Sequence, residues 1–229
     1  MSRLRRALAL SRDDSGLSLS ELLVVMMMFG IMMTVVTSLF ISYTKAAGSG
    51  RSIDMDTRAA SNGMNEVARI VRAGTANPVQ GSAVPEPAFA DASRETLTVT
   101  AFVNLTSSAT RPVKVRFWLN AKRDLVEETT QAVALANGYW RFTGAVSTRV
   151  LASDVAVRTG SDPWLFTYRK ADGTVLTPNS SGALGADQRA LVGSVQVTLE
   201  VRGGGGSGPG VTLQNTVGLP NLAVVGVGP

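Results

Sequence analysis

The sequence predicts an α+β protein in which one long amino-terminal helix packs on an antiparallel β-sheet. Three observations lead to this fold class: residues 22–44 form an uncharged apolar run, a stripe of apolar residues with helical spacing follows, and segments of alternating β-branched residues fill the second half. A helix covering one face of such a sheet is a common layered arrangement. The predicted regions are a leader at 1–16, a transmembrane segment at 17–44, an amphipathic helix at 45–73, a loop at 74–95 and a β-rich head at 96–229.

The apolar run is long enough to cross a membrane. Glu21 precedes it and Lys45 follows it, with no charged residue between them. At a rise of about 1.5 Å per residue, a helix of this length spans a bilayer core about 30 Å thick. The leader contains four arginines against two aspartates. Because basic residues favour the cytoplasmic side, the sequence predicts that everything after Lys45 lies outside.

A second helical pattern follows the apolar run. Its apolar stripe repeats at spacings of four and three residues and consists of Ile53, Thr57, Ala60, Met64, Val67 and Val71. We expect Gly48-Ser49-Gly50 to interrupt the helix, because glycine is a poor helix former. Gly74 and Pro78 predict where the helix ends.

The head contains segments typical of β-strands. The predicted strands are 96–103, 112–119, 139–144, 164–169, 174–176, 195–201 and 211–217. Asp172-Gly173 predicts a hairpin between the fourth and fifth of them. The strand at 195–201 alternates apolar with polar residues, so we expect one buried face and one solvent-exposed face. Proline and small residues at 74–95 indicate a loop with little regular structure.

The composition excludes several classes of chemistry. The chain has no cysteine and no histidine, so disulfides, thiolate or imidazole metal ligands and Ser-His or Cys nucleophiles are ruled out. Adjacent carboxylates such as Glu127 and Glu128 point to opposite faces of a strand and do not converge, so a solvated edge or turn is the expected setting. We therefore expect a protein that is not an enzyme, without catalytic residues, metal or cofactor.

Aromatic and basic residues of the head offer a possible ligand surface. The aromatic side chains could form a platform for a ligand, but aromatic residues in strands more often belong to the core; they are Phe117, Trp118, Trp140, Phe142 and Trp164. Arg111, Lys114 and Arg116 alternate partly on one strand and could contact phosphates, as in a nucleic acid. A net charge of +5 is small for nucleic-acid binding, and a solvated strand face is the simpler interpretation.

The segment Gly16-Leu17-Ser18-Leu19-Ser20-Glu21, followed by an apolar helix, resembles the processing site of type IV prepilins and pseudopilins. The resemblance implies that a prepilin peptidase cuts after Gly16 and methylates the new amino terminus at Leu17. It also implies that Glu21 pairs with the terminal amine of a neighbouring subunit during assembly. The family usually has phenylalanine at the position of Leu17, and a proline near the end of the first helical segment that this chain lacks.

This resemblance implies a structural subunit of a type IV pilus or of a type II secretion pseudopilus. The expected partners are other pilin subunits, the prepilin peptidase and the inner membrane, which the chain crosses once before it enters the filament. The hairpin around Asp172 and the strand at 195–201 resemble those of minor pilins and J-type pseudopilins. Two alternatives are a filament-tip binding module and a plain signal-anchored domain, since an acidic residue near a helix start also favours the helix dipole.

Overall fold

A computed structural model describes residue 16 and residues 18–103, 111–156, 164–202 and 210–222. The chain divides into two compact units between Gly48 and Ser49. Helix α1, Leu19–Arg72, begins in the first unit and ends in the second. The helix break expected at Gly48-Ser49-Gly50 is wrong, because these residues lie inside α1. Two glycines cost about 1 kcal/mol each, and helix formation is cooperative with the turns on both sides.

In its described residues, the second unit contains the end of α1, short strands, a short α-helix and a 3-10 turn at Ala136–Gly138. The strands are β1 Phe89–Ala92, β2 Thr96–Phe102, β3 Pro112–Leu119, β4 Leu125–Gln131, β5 Val133–Ala134, β6 Trp140–Arg141, β7 Val146–Ala152, β8 Phe166–Arg169, β9 Val175–Leu176, β10 Ser194–Val201 and β11 Val211–Gly218. Helix α2 covers Ala186–Ala190. Helix α1 and these strands confirm the α+β class.

The strands form two main sheets in which every pair is antiparallel. The five-stranded sheet has the order β1-β2-β3-β4-β7, and the four-stranded sheet has the order β11-β10-β8-β9. Strands β5 and β6 form a separate small hairpin. The hairpin predicted at Asp172-Gly173 is confirmed by the pairing of β8 with β9. Gly173 has a φ of 85°, a conformation that favours glycine in tight turns.

One hydrophobic core joins the end of α1 to both sheets. The predicted stripe supplies Ala60, Val67 and Val71, which are fully buried, while Ile53 and Thr57 are partly exposed. The alternating residues of β2 and β3 and the apolar positions of β10 belong to the same cluster. Helix α1 ends at Arg72, two residues before Gly74, as the stop signals predict.

Several strands differ from the sequence-based prediction. β4 and β7 are not predicted, because their many polar residues hide the pattern, yet pairing with β3 on one side holds β4 in the sheet. β1 lies within the segment expected to be a loop at 74–95. The strand expected at 139–144 is reduced to Trp140–Arg141.

The second face of β10 is buried, contrary to the expectation of a solvent-exposed face. Gln196 is 9% exposed and Thr198 is 2% exposed. β10 lies between β8 and β11, so its residues have a neighbouring strand on each side. The Gln196 side-chain oxygen accepts a hydrogen bond of 2.9 Å from Arg169, which satisfies this partly buried amide.

Candidate functional site

The start of α1 contains the residues that resemble a prepilin processing site. Gly16 is exposed and precedes the helix, whereas Leu17 and the leader residues 1–15 lie outside the described residues. The Ser18 hydroxyl accepts a hydrogen bond of 3.3 Å from the backbone amide of Glu21. Its carbonyl accepts bonds from the amides of Glu21 and Leu22 at 3.0 and 3.1 Å. Ser18 therefore sets the first helical residue, as serine does at helix starts.

The carboxylate of Glu21 is exposed in the first turn of α1. Among the described residues, no group donates a hydrogen bond to it. A negative charge here is favoured by the unpaired amides at the helix start. The carboxylate is therefore free to accept a hydrogen bond from a cation outside the described chain, such as an amine.

The apolar part of α1 has no protein cover among the described residues. Between Leu22 and Tyr43, the exposed fractions of its large apolar side chains lie between 47% at Ile41 and 73% at Tyr43. Within the described chain, α1 is the helix long and apolar enough to cross a membrane, judged by length and composition. Contiguous apolar surface of this extent needs an apolar environment or a partner.

Three of the polar side chains within this apolar stretch bond to the helix itself. The Thr34 hydroxyl donates to the Gly30 carbonyl at 2.9 Å, and the Ser38 hydroxyl donates to the Thr34 carbonyl at 2.8 Å. Thr44 donates to the Ile41 carbonyl at 2.9 Å. Because these three hydroxyl donors bond within the helix, they add no unsatisfied donor to an apolar environment.

The basic face predicted on the head is divided among aromatic and acidic neighbours. Lys114 lies 4.7 Å from the ring centre of Phe142 and 3.5 Å from a Glu86 carboxylate oxygen. The Arg116 guanidinium stacks 4.9 Å from the centre of the Trp118 ring, and Glu128 of β4 lies opposite Arg116 in the strand register. Arg111 is exposed and precedes β3. Lys114 and Arg116 share the outer face of β3, but its charge is mixed.

The aromatic residues do not all belong to the core. Phe117 is fully buried, as expected. The core assignment is wrong for the other four, which are only partly buried: Trp118, Trp140, Phe142 and Trp164. Arginine and lysine side chains stack on three of these rings, including Arg94, which lies 4.4 Å from the Trp164 ring centre. A cation stacked on a ring is attracted to its electron-rich face, so these aromatic rings have a favourable contact without full burial.

Four charged residues join α1 to the five-stranded sheet, and we call them the helix–sheet ion cluster: Glu66, Arg69, Glu127 and Arg149. Glu66 accepts hydrogen bonds from Arg69 at 2.6 Å and from Arg149 at 2.5 Å. Glu127 accepts from Arg149 at 2.8 Å and from Thr129 at 3.1 Å. Sequence reasoning missed this cluster because its members lie up to 83 positions apart.

Glu127 is buried in this cluster, and pairing shifts the pKa values of Glu66 and Arg69. The Glu127 side chain is 7% exposed in the middle of the sheet, so the expectation of a solvated edge or turn is wrong. The hydrogen bond from Arg69 is the main reason that the pKa of Glu66 is lowered, although burial opposes it. The same bond raises the pKa of Arg69. The arrangement is that of a structural ion pair network.

The described residues contain no group of three or more acidic side chains placed to hold a metal ion. Comparison of the chain with family models, with curated proteins and with solved structures finds no match. Among the described residues, the features that match the predicted processing site are the exposed Gly16, the Glu21 carboxylate and the exposed apolar surface of α1. These three features lie together in the first compact unit.

Proposed function

We propose that this chain is a minor pilin or pseudopilin, a structural subunit that enters a type IV pilus or a type II secretion pseudopilus. The observation that carries the proposal is the order of features along the amino terminus. An exposed Gly16 precedes a helix start, a carboxylate occupies the first turn, and an uncovered apolar surface follows. Each feature has a role in the processing and assembly that the family resemblance implies.

The mechanism is assembly rather than turnover. A prepilin peptidase removes the leader after Gly16 and methylates the amine of Leu17, which leaves the apolar helix as the amino terminus of the mature chain. In the inner membrane, this helix exchanges lipid for the helices of neighbouring subunits. A carboxylate in an apolar environment costs several kcal/mol unless it is paired, so Glu21 favours the subunit position in which a terminal amine lies beside it.

The head supports a structural role for the external part. Its sheet is tied to α1 by the core and by the helix–sheet ion cluster. The filament-tip binding module has less support, since Lys114 and Arg116 already have aromatic and acidic neighbours. A plain signal anchor remains an alternative that processing and assembly measurements distinguish from a pilin.

The role of Glu21 can be tested by replacing it with glutamine in cells that assemble filaments. We expect Glu21→Gln to be processed and retained in the membrane but depleted from the sheared filament fraction by at least about tenfold. The matched control is Ser20→Ala, which changes the adjacent residue and leaves the carboxylate. Equal amounts of Glu21→Gln and wild-type protein in the filament fraction would contradict the proposal, as would a wild-type chain that never enters that fraction.

A further inference from the structure

Strand β7 is an open edge of the five-stranded sheet. Among the described residues, it pairs with β4 on one side and with no strand on the other. Its residues from Val146 to Val150 are exposed, with exposed fractions of 59% for Val146 and 55% for Val150. The free side of β7 therefore offers a strand-length surface of the head.

The register of β7 shows which backbone groups point outward. The Gln131 amide donates to the Ala145 carbonyl, so hydrogen-bonded pairs with β4 recur at Ser147 and Arg149. In an antiparallel pair the intervening residues direct their N–H and C=O groups away from the partner. Val146, Thr148 and Val150 therefore present three outward donors and three outward acceptors, in the spacing that an added strand requires.

β7 has fewer protecting features than the other edges, because its one charged residue, Arg149, is already paired with two glutamates. The opposite edge strand, β1, has a bulge between Phe89 and Asp91. In the second sheet, β9 is only two residues long and β11 exposes polar side chains. In contrast, β7 has seven residues, no proline and no lysine, and its irregularity is confined to the end opposite Leu125 and Val126. A long and regular free edge is a template for strand pairing.

We propose that the free edge of β7 binds an extended segment of another protein as an added antiparallel strand. Main-chain hydrogen bonds to Val146, Thr148 and Val150 supply the affinity, and β-branched side chains of the partner pack against the two exposed valines. Arg149 uses Nε and Nη2 for its two glutamates and is 57% exposed. Its remaining Nη1 group selects a partner with an acidic residue at the opposite position.

A second copy of β7 fits this edge less well than a different protein. The hydrogen-bond spacing allows two copies to pair with Thr148 opposite Thr148, which places Ser147 opposite Arg149. Shifting the centre of the pairing by one residue sets Arg149 opposite Arg149, which is repulsive. Since β7 contains no acidic residue, no register of a self-pair supplies the carboxylate that Arg149 favours.

The test uses the full chain in detergent micelles and a capped peptide with the sequence of residues 125–131, LVEETTQ. In the protein this sequence pairs with β7 and places a glutamate opposite Arg149. We expect saturating peptide to slow hydrogen exchange at the amides of Val146, Thr148 and Val150 by at least about tenfold. Peptide N-methylated at alternate residues should not protect them, and lysine in place of both glutamates should weaken binding.

Two substitutions at one position separate the backbone from the side chain. Thr148→Pro removes an outward amide without removing a bond to β4, and we expect it to weaken peptide binding by about tenfold. Thr148→Val keeps the amide and should bind as wild type. The proposal is overturned if millimolar peptide leaves exchange unchanged or if N-methylated peptide protects equally. It is also overturned if protection without peptide rises with protein concentration, because that result indicates pairing between copies.

Discussion

Glu127 and Glu128 are adjacent in sequence and occupy different environments in the fold. Glu127 faces α1 and is buried against Arg149, whereas Glu128 lies on the outer face of the sheet opposite Arg116. Strand alternation predicts that the two side chains point in opposite directions. Which one is buried depends on the position of β4 between β3 and β7, and no short-range pattern in the sequence carries that information.

Replacing Glu127 with glutamine tests the helix–sheet ion cluster. The substitution keeps the shape of the side chain but removes the charge that accepts two bonds from Arg149. We expect the free energy of unfolding of the head to fall by about 1–3 kcal/mol, measured by urea denaturation in micelles. Glu128→Gln is the matched control and should change it by less than about 0.5 kcal/mol. If Glu127→Gln and Glu128→Gln lowered the free energy of unfolding equally, the stabilising role of Glu127 in the helix–sheet ion cluster would be contradicted.

Glu66 should make the stability of the head depend on acid pH. Its pKa in the folded state is lowered from 4.5, chiefly by the hydrogen bond from Arg69. A carboxyl with a lowered folded pKa contributes stability above its unfolded pKa, and that contribution is lost as the pH falls through the folded pKa. We expect Glu66→Gln to reduce the slope of stability against pH below 4.5. In Arg69→Gln, the Glu66 titration midpoint, followed by NMR, should move back toward 4.5.

At the scale of elements, patterns with a single dominant period are predictable from the sequence. The helical stripe of α1 and the alternation in β2 and β3 identify these elements with close to their observed bounds. β4 and β7 are not recognised, because threonine, glutamate and serine obscure their alternation. β4 forms a strand by pairing with β3, and β7 forms a strand by pairing with β4. Both strands also place a buried residue in the hydrophobic core. These are tertiary effects, which the local sequence does not reveal.

The turn before β10 depends on a glycine with no room for a side chain. A Cβ atom at Gly193 would lie 2.6 Å from the Ala171 nitrogen and 2.8 Å from its Cα, next to the β8–β9 hairpin. We expect Gly193→Ala to destabilise the head by about 1–3 kcal/mol through overpacking. At Gly218 no atom lies within 4 Å of the added carbon, so Gly218→Ala is the control. Thermal unfolding that does not distinguish the two variants would contradict this reading.

For the molecule as a whole, the candidate site can be proposed from the sequence alone, whereas much of the head cannot. Gly16, Ser18 and Glu21 are close in sequence, so a short motif is enough to single them out as candidates. The helix–sheet ion cluster and the free edge of β7 arise only when distant segments meet. The neighbours of the basic face could not be predicted for the same reason, because Glu86 and Phe142, which contact Lys114, are far from it in sequence.

The most direct test of the pilin proposal is the intact mass of the chain purified from membranes of cells with an active prepilin peptidase. We predict a mature protein that begins at Leu17 and carries one methyl group on its terminal amine. Gly16→Val should accumulate with the leader attached, while Gly30→Val, a change at another exposed glycine, should be processed normally. A wild-type chain that still begins at Met1 would contradict the central claim and favour a plain signal anchor.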